Sequence, residues 1–344
     1  MNPEEAALKK QPLFSPPNAM FTADELLKKV NQHIATLPTL ERKPQGLYSP
    51  VKYVLAPGGK RLRPVLMLMA YNLLRDDVDS ILNLAAGIEI FHNYTLLHDD
   101  VMDHADLRRG KPTVHQLWDV NTAILSGDAM YALASELMAQ CPPETMPAVL
   151  QLFHRTSLEI CEGQQLDMEF ENRQDVSEDE YIEMIRLKTS VLLATSLKIG
   201  AITAGANTQL ADALYHFGIY LGIAFQLQDD LLDVYGNTAV FGKKIGGDIR
   251  CNKKTFLLIQ ALALANPSQR KQLSHWLNQT DNDTDEKVKA VTNIYNEIGI
   301  KHLAESRIDA FTSQAQQDLD QVDAPNERKT ALREMMRELT HRQS

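Results

Sequence analysis

Leu96-Leu97-His98-Asp99-Asp100-Val101-Met102-Asp103 reads as the end of a buried helix that carries three carboxylates. Far downstream, Phe225-Gln226-Leu227-Gln228-Asp229-Asp230-Leu231-Leu232-Asp233 repeats the same grammar. Carboxylates are among the side chains least often buried without a partner. On a helix Asp99 and Asp103 share a face, as do Asp229 and Asp233. Like charges at that spacing repel unless a cation sits between them. Paired hard oxygens suit Mg²⁺, which keeps several waters and commonly shares its shell with substrate phosphates. Two such clamps looking at each other describe a diphosphate held between metals.

Outward from these runs, apolar residues recur at helical spacing over Phe21–Leu37, Val65–Leu74, Ile81–Leu97, Asn121–Ala139, Met146–Phe170, Tyr181–Ala204 and Ala211–Tyr235. Thr22 or Asp24 is placed to cap the first of them. Alternating strand patterns are essentially missing. Breaks fall at Ala56-Pro57-Gly58-Gly59, Arg108-Arg109-Gly110-Lys111-Pro112, Cys141-Pro142-Pro143 and Phe241-Gly242-Lys243-Lys244-Ile245-Gly246-Gly247. The polar stretch from Thr280 to Glu286 reads as a surface loop. Residues 1–20, with four prolines and no period, read as a loose leader. With no composition shift after it, residues 21–344 read as one all-α, single-domain helical bundle.

A chain of 344 residues with 44% apolar content can bury a substantial core. Its net charge of −10 argues against non-specific nucleic-acid binding and leaves any anion to be captured by local basic groups. Cys141, Cys161 and Cys251 form no CxxC pair, which fits a reducing compartment better than a disulfide framework or zinc site. No apolar stretch reaches membrane-span length without a charge, and the N-terminus lacks a signal-peptide core, so the expected location is cytoplasmic.

The cations gather in the breaks. Gly58-Gly59-Lys60-Arg61-Leu62-Arg63-Pro64 sets basic side chains beside two glycines, where backbone amides can approach an anion. Arg108 and Arg109 trail the first acidic run, and Lys243, Lys244, Lys253 and Lys254 trail the second. Arg offers a forked donor for phosphate oxygens and Lys a mobile point charge. Any one basic pair is ordinarily solvated surface. An acidic helix end trailed by a basic loop, twice over, is the arrangement expected for metal-bridged diphosphate chemistry.

These blocks, with Leu107-Arg108-Arg109-Gly110 and in this order and spacing over roughly Lys60 to Lys254, resemble the trans-polyprenyl diphosphate synthases of farnesyl and geranylgeranyl diphosphate synthesis. The resemblance implies a bundle of mostly antiparallel helices around a deep central cavity, a homodimer, and roughly two to three Mg²⁺ ions with oxygen-rich shells. It implies that Asp99 and Asp103, supported by Asp100, hold metal on the allylic diphosphate, and that Asp229 and Asp233 hold the opposing metal. It assigns Lys60, Arg63, His92 and Arg109 to isopentenyl diphosphate, and Arg108, Lys188, Lys244 and Lys253 to the allylic diphosphate. It also implies that Thr189 and Gln226 flank the reacting carbons.

The implied reaction needs no covalent nucleophile: cations stabilise the departing diphosphate. The allylic cation is attacked by the double bond of isopentenyl diphosphate in a cavity that excludes water. The Thr189 hydroxyl and Gln226 amide oxygen act as dipoles on the cation, and released diphosphate takes the final proton. By the same resemblance a bulky residue at Tyr94 forms the cavity floor, with Thr95 and Phe91 beside it. An aromatic Tyr94, a small Thr95 and no insertion in the first cluster resemble short-chain geranylgeranyl synthases of archaeal type, with farnesyl diphosphate close behind.

Bland readings stand beside these. His92 alone is an ordinary hydrogen-bonded core histidine, His98 reads as structural, Gln164 and Asp167 share a face that fits a cavity wall but are explained almost as well by surface polarity, and Phe91 and Tyr94 by packing. A longer-chain synthase is an alternative. An HD-type metal phosphohydrolase would use His92, His98 and Asp99 but leaves Asp229, Asp233 and the Lys60–Arg63 loop without a role. A terpene cyclase lacks the isopentenyl site, and a non-catalytic subunit commonly loses its acidic runs.

Overall fold

A computed structural model describes residues 20–56, 58–236, 245–279 and 284–340. Most of the leader, residues 1–19, lies outside them, as do Lys243, Lys244 and residues 280–283 of the expected surface loop.

The fold is all-α, as the periodicity requires. Helix α1 (Ala23–Ala35) opens with a reciprocal capping box between Thr22 and Glu25, which selects Thr22 over Asp24 as the cap. Its Leu26, Val30 and Ile34 recur every fourth residue and are buried, each burial stabilising by about 1.5–3 kcal/mol. There follow α2 (Gln45–Leu55), α3 (Leu62–Asn72), α4 (Leu82–Met102), a short α5 (Val114–Leu117), α6 (Val120–Met138), α7 (Met146–Glu171), α8 (Glu178–Ile185), α9 (Val191–Thr203) and α10 (Thr208–Tyr235). The C-terminal part supplies α11 (Gly247–Arg250), α12 (Phe256–Leu264), α13 (Pro267–Leu277), α14 (Asp285–Ile298), α15 (Ile300–Gln321) and α16 (Thr330–Thr340). Asp285 and Glu286, expected in a loop, form the first turn of α14, where Thr284 caps and acidic side chains suit the helix dipole.

The one sheet among the described residues is a two-stranded hairpin, β1 (Leu107–Arg108) against β2 (Lys111–Pro112), at a predicted break. Its two-residue turn, Arg109-Gly110, has φ of +53° and +73°. That is the sign pattern of a type I′ turn, which glycine tolerates at its second position. The helical run Tyr181–Ala204 is likewise not continuous: a π turn at Arg186–Ser190 separates α8 from α9.

Residue contacts divide the chain into two compact units. One holds the described residues up to Met146 together with Gly200–Thr208 and Ala324–Lys329. Its centre is α4 packed along α6, with α1, α2 and α3 around them. The other holds Pro147–Ile199, Gln209–Asp323 and the residues from Thr330 on. Among the described residues α10 alone is long and apolar enough to cross a membrane; Leu214, Phe217, Leu221 and Leu227 on it are fully buried in protein.

Candidate active site

In the first unit the acidic run occupies the end of α4, and Asp103 is its C-cap residue. The carbonyl end of a helix is already the negative pole of its dipole. Three carboxylates there are repulsive without a cation. Arg108, aimed by the hairpin, supplies part of it: Nε donates to Oδ1 of Asp100 at 2.7 Å, and Nη2 lies 3.5 Å from Oδ2 of Asp99. Asp100 is buried, and that burial raises its proton affinity against the pull of Arg108. Asp99 is half-buried and Asp103 exposed, one turn apart. Among the described residues no three His, Cys, Asp or Glu side chains converge on a ready-made metal site. A carboxylate pair at a helix C-terminus nonetheless suits Mg²⁺, which takes few protein ligands and completes its shell with water and phosphate oxygens.

A separate group gathers positive charge around a histidine. Arg63 and His92, twenty-nine residues apart, meet with Nη1 of Arg63 3.0 Å from Nε2 of His92. Arg63 Nε is buried with no hydrogen-bond partner in the structure. Burial lowers the Arg63 pKa to about 10; Glu89 opposes this and Arg109 adds to it. Burial, then Arg63, Arg109, Arg108 and Arg61, hold His92 well below the usual histidine range. Burial likewise lowers Arg109, with Glu89 opposing and Arg61 and Arg108 contributing. Groups that depress one another in this way mark a concentrated positive potential, which an anion relieves. Arg109 Nη1 reaches the Gly58 carbonyl at 3.5 Å, tying the hairpin to the glycine loop, and Lys60 is exposed beside it.

Arg61, from the same basic loop, does something else. Its backbone is left-handed (φ +42°) and its side chain points into protein. Nη1 donates to Glu89 Oε1 at 2.7 Å, Nη2 to the Leu55 carbonyl at 2.6 Å and Nε to Asn31 Oδ1 at 3.2 Å. Asn93 Nδ2 also donates to Glu89 Oε1, at 2.8 Å. This network holds the loop against α4 and so sets where Arg63 stands.

On another face of α4, Tyr94 contacts Phe91, His98 and Tyr131, with ring centroids 5.5, 4.8 and 5.7 Å away. Tyr131 comes from α6 and also meets Phe91 at 6.1 Å. Offset aromatic pairs at these separations are mutually attractive. Thr95 turns its hydroxyl back to the His92 carbonyl at 2.8 Å.

In the second unit Asp229, Asp230 and Asp233 fill the last turns of α10, again at a negative helix pole. They are not equivalent. Asp229 and Asp233 are half-buried, and Asp233 Oδ2 accepts the backbone N–H of Asp248 at 3.0 Å. Asp230 is 4% exposed and accepts from the hydroxyl of Tyr181 and from Gln226 Nε2, the latter at 3.0 Å. Burial, with Asp248 nearby, raises its proton affinity against those donors and Lys253. Gln226 Oε1 accepts the Thr189 hydroxyl at 3.2 Å. Lys188 Nζ donates to Asp167 Oδ2 at 2.6 Å. Burial would raise Asp167, yet Lys253 and Lys188 hold it below the usual carboxylate range.

Lys188 and Thr189 both lie in the π turn, a local widening of the helix that recurs at functional sites. Two glycines make room for it. A Cβ on Gly163 of α7 would lie 2.5 Å from the Lys188 nitrogen, and one on Gly222 of α10 2.5 Å from Ser190 Cα.

The structure thus joins Arg63 with His92, Asp99 and Asp100 with Arg108, and Thr189 with Gln226. Glu89, Tyr131 and Tyr181 enter only through tertiary contacts, while Asp167, read from the sequence as a cavity-wall or surface residue, is joined to Lys188. A buried acid such as Glu89 in an apolar helix was a visible signal for a charged partner; the distant residues Tyr131 and Tyr181 carried none.

Residues 44–295 match the family profile described as Polyprenyl synthetase. The short chain isoprenyl diphosphate synthase of Methanocaldococcus jannaschii is 40% identical over 283 residues, covering 82% of this chain and 85% of that protein. A crystal structure of a geranylgeranyl pyrophosphate synthase superposes with a TM-score of 0.88 at 41% identity, covering 94% of this chain and 100% of that one. The polyprenyl synthase of Caulobacter crescentus, solved with calcium and isoprenyl diphosphate, superposes with a TM-score of 0.82 at 30% identity over 95% of this chain and 100% of that one. By the extent of these matches, the chain belongs to the polyprenyl synthetase family.

Proposed function

We propose that this chain is a short-chain trans-prenyltransferase that joins isopentenyl diphosphate to allylic diphosphates and releases geranylgeranyl or farnesyl diphosphate. The observation that carries this reading is the group in which Arg63 and Arg109 gather about a neutral His92, held beside carboxylates that Arg108 already engages. A phosphohydrolase has no use for a second anion site of this kind; a condensing enzyme must hold two diphosphates.

Lys60, Arg63, His92 and Arg109 bind the diphosphate of isopentenyl diphosphate. Arg108, Lys188 and Lys253, with Lys244 from outside the described residues, bind that of the allylic substrate. Asp99, Asp103, Asp229 and Asp233 are the ligands for Mg²⁺, with Asp100 in support through Arg108. When bound, Mg²⁺ supplies charge neutralisation on the leaving diphosphate. The allylic C–O bond breaks with its electron pair leaving on diphosphate, while Arg108, Lys188 and Lys253 stabilise the growing charge. The Thr189 and Gln226 oxygens turn lone pairs toward the allylic cation. The double bond of isopentenyl diphosphate then forms the new C–C bond, and diphosphate takes the proton that restores the alkene. Tyr94, braced by Phe91 and Tyr131, is the floor that ends chain growth.

The same reading makes residues 21–344 one catalytic domain acting as a cytoplasmic homodimer. The full chain, incubated with MgCl₂, labelled isopentenyl diphosphate and each allylic primer in turn, should yield labelled prenyl diphosphates, with geranylgeranyl diphosphate foremost. EDTA should abolish the product and excess Mg²⁺ restore it. Failure to join five-carbon units with any primer in Mg²⁺ rejects the proposal.

A further inference from the structure

Asp230 stands out among the six carboxylates of the two acidic runs. Asp229 and Asp233 on the same helix end are half-buried, whereas Asp230 is 4% exposed and faces protein donors with both oxygens. Oδ2 accepts from the hydroxyl of Tyr181 and Oδ1 from Gln226 Nε2 at 3.0 Å. Tyr181 is buried in α8, whose start is set by a capping box between Ser177 and Glu180, and the reaction derived above gives it no part.

A glutamine amide has the same shape with its oxygen and nitrogen exchanged, so only its partners decide which way it faces. Asp230 Oδ1 accepts from the Gln226 nitrogen at one end of the amide, and this turns the amide oxygen to the other end, where Thr189 donates to it at 3.2 Å. We infer, on the prenyl-transfer reading above, that Tyr181 and Asp230 are positioning residues that lock the Gln226 amide with its oxygen toward Thr189 and the reacting carbons. With the oxygen there, a developing allylic cation meets the negative end of the amide dipole. Reversed, it meets the positive NH₂ end, and a stabilising dipole becomes a repulsive one. The tyrosine anchors the second carboxylate oxygen, so the carboxylate cannot rotate away from Gln226.

Asp230→Asn tests the orientation directly. If the new amide oxygen at this position accepts from Tyr181, its NH₂ confronts the NH₂ of Gln226, and the Gln226 amide must reverse. Asp230→Asn should therefore lower kcat by about tenfold or more, while the KM of each diphosphate and the half-saturating Mg²⁺ concentration stay within about threefold. Adding Gln226→Glu gives the introduced NH₂ an acceptor and returns an oxygen to Thr189. The double variant should recover most of kcat. The melting midpoint of the substrate- and metal-free protein should fall in the single variant and recover in the double. Tyr181→Phe, which keeps the ring, should lower kcat about threefold or more at unchanged KM, and serves if Asp230→Asn does not fold.

An increase of about tenfold or more in the Mg²⁺ requirement of Asp230→Asn would make Asp230 a metal ligand and overturn the inference. Recovery of the melting midpoint without recovery of kcat overturns it too, since the bonds would then be structural only. So does unchanged kcat in Tyr181→Phe. If the unaltered protein transfers no prenyl group, the function proposed above falls by itself, while the melting cycle still reads the amide orientation.

Discussion

Arg63 donates through Nη1 to Nε2 of His92 at 3.0 Å, which places the imidazole proton on Nδ1 and leaves the ring neutral. Burial and the surrounding arginines hold its pKa well below the ordinary 6.5. The unfolded chain therefore takes up a proton at higher pH than the folded one. The stability held by the neutral ring is complete above the unfolded pKa and is lost as pH falls below about 6.5. The melting midpoint of the unaltered protein should fall more steeply between roughly pH 6.5 and 5 than that of His92→Gln, which keeps an acceptor for Arg63. Parallel curves would show that His92 titrates as an ordinary histidine.

The Arg61–Glu89 pair is closed at 2.7 Å with both side chains 3% exposed. Removing one partner of a buried ion pair leaves the other charged and unmatched, which costs about 3–5 kcal/mol. Glu89→Ala should lose that much in urea unfolding and weaken isopentenyl diphosphate binding through the displaced Arg63. A loss below about 1 kcal/mol, the usual range of a surface pair, would mean that water reaches Arg61.

Gly222 lets α10 pass against the π turn, since an added Cβ would meet Ser190 Cα at 2.5 Å and Ser190 Cβ at 2.6 Å. Both are close to backbone and cannot swing aside. Gly222→Ala should cost about 1–3 kcal/mol despite alanine's better helix propensity. Because the strain falls next to Thr189, kcat should drop as well. A stabilised variant would show that propensity outweighs the contact.

Tyr94 and Tyr131 come from different helices and meet at 5.7 Å. Truncating either opens the same aromatic group. Tyr94→Ala should shift products to longer chains, and Tyr131→Ala should do so to a lesser degree by releasing Tyr94. Chromatography of the labelled products reads both. An unchanged product from Tyr94→Ala places the floor elsewhere.

Much of this was legible in the order of residues. Apolar spacing announced α1, α4, α6, α7 and α10, because a helix buries one stripe whatever it packs against. The breaks were equally plain, although the hairpin at Arg108–Pro112 was too short to show any alternation. The π turn was invisible: its residues Arg186–Ser190 fit the helical period, and the room that Gly163 and Gly222 leave for it on α7 and α10 shows only in the packing.

Sequence by itself determined the helical class and the residue types of the two acidic runs, since both follow from period and local charge. Tertiary structure alone decided the division of labour within each run. Asp229, Asp230 and Asp233 look alike in one dimension, yet Tyr181 and Gln226 claim Asp230 while the backbone N–H of Asp248 claims Asp233. Arg61 and Arg63 stand two residues apart in one basic loop, and Glu89 draws the first inward while the second meets His92. Which charge a fold spends inside and which it keeps for a ligand depends on partners distant in the chain, and local pattern carries no record of them.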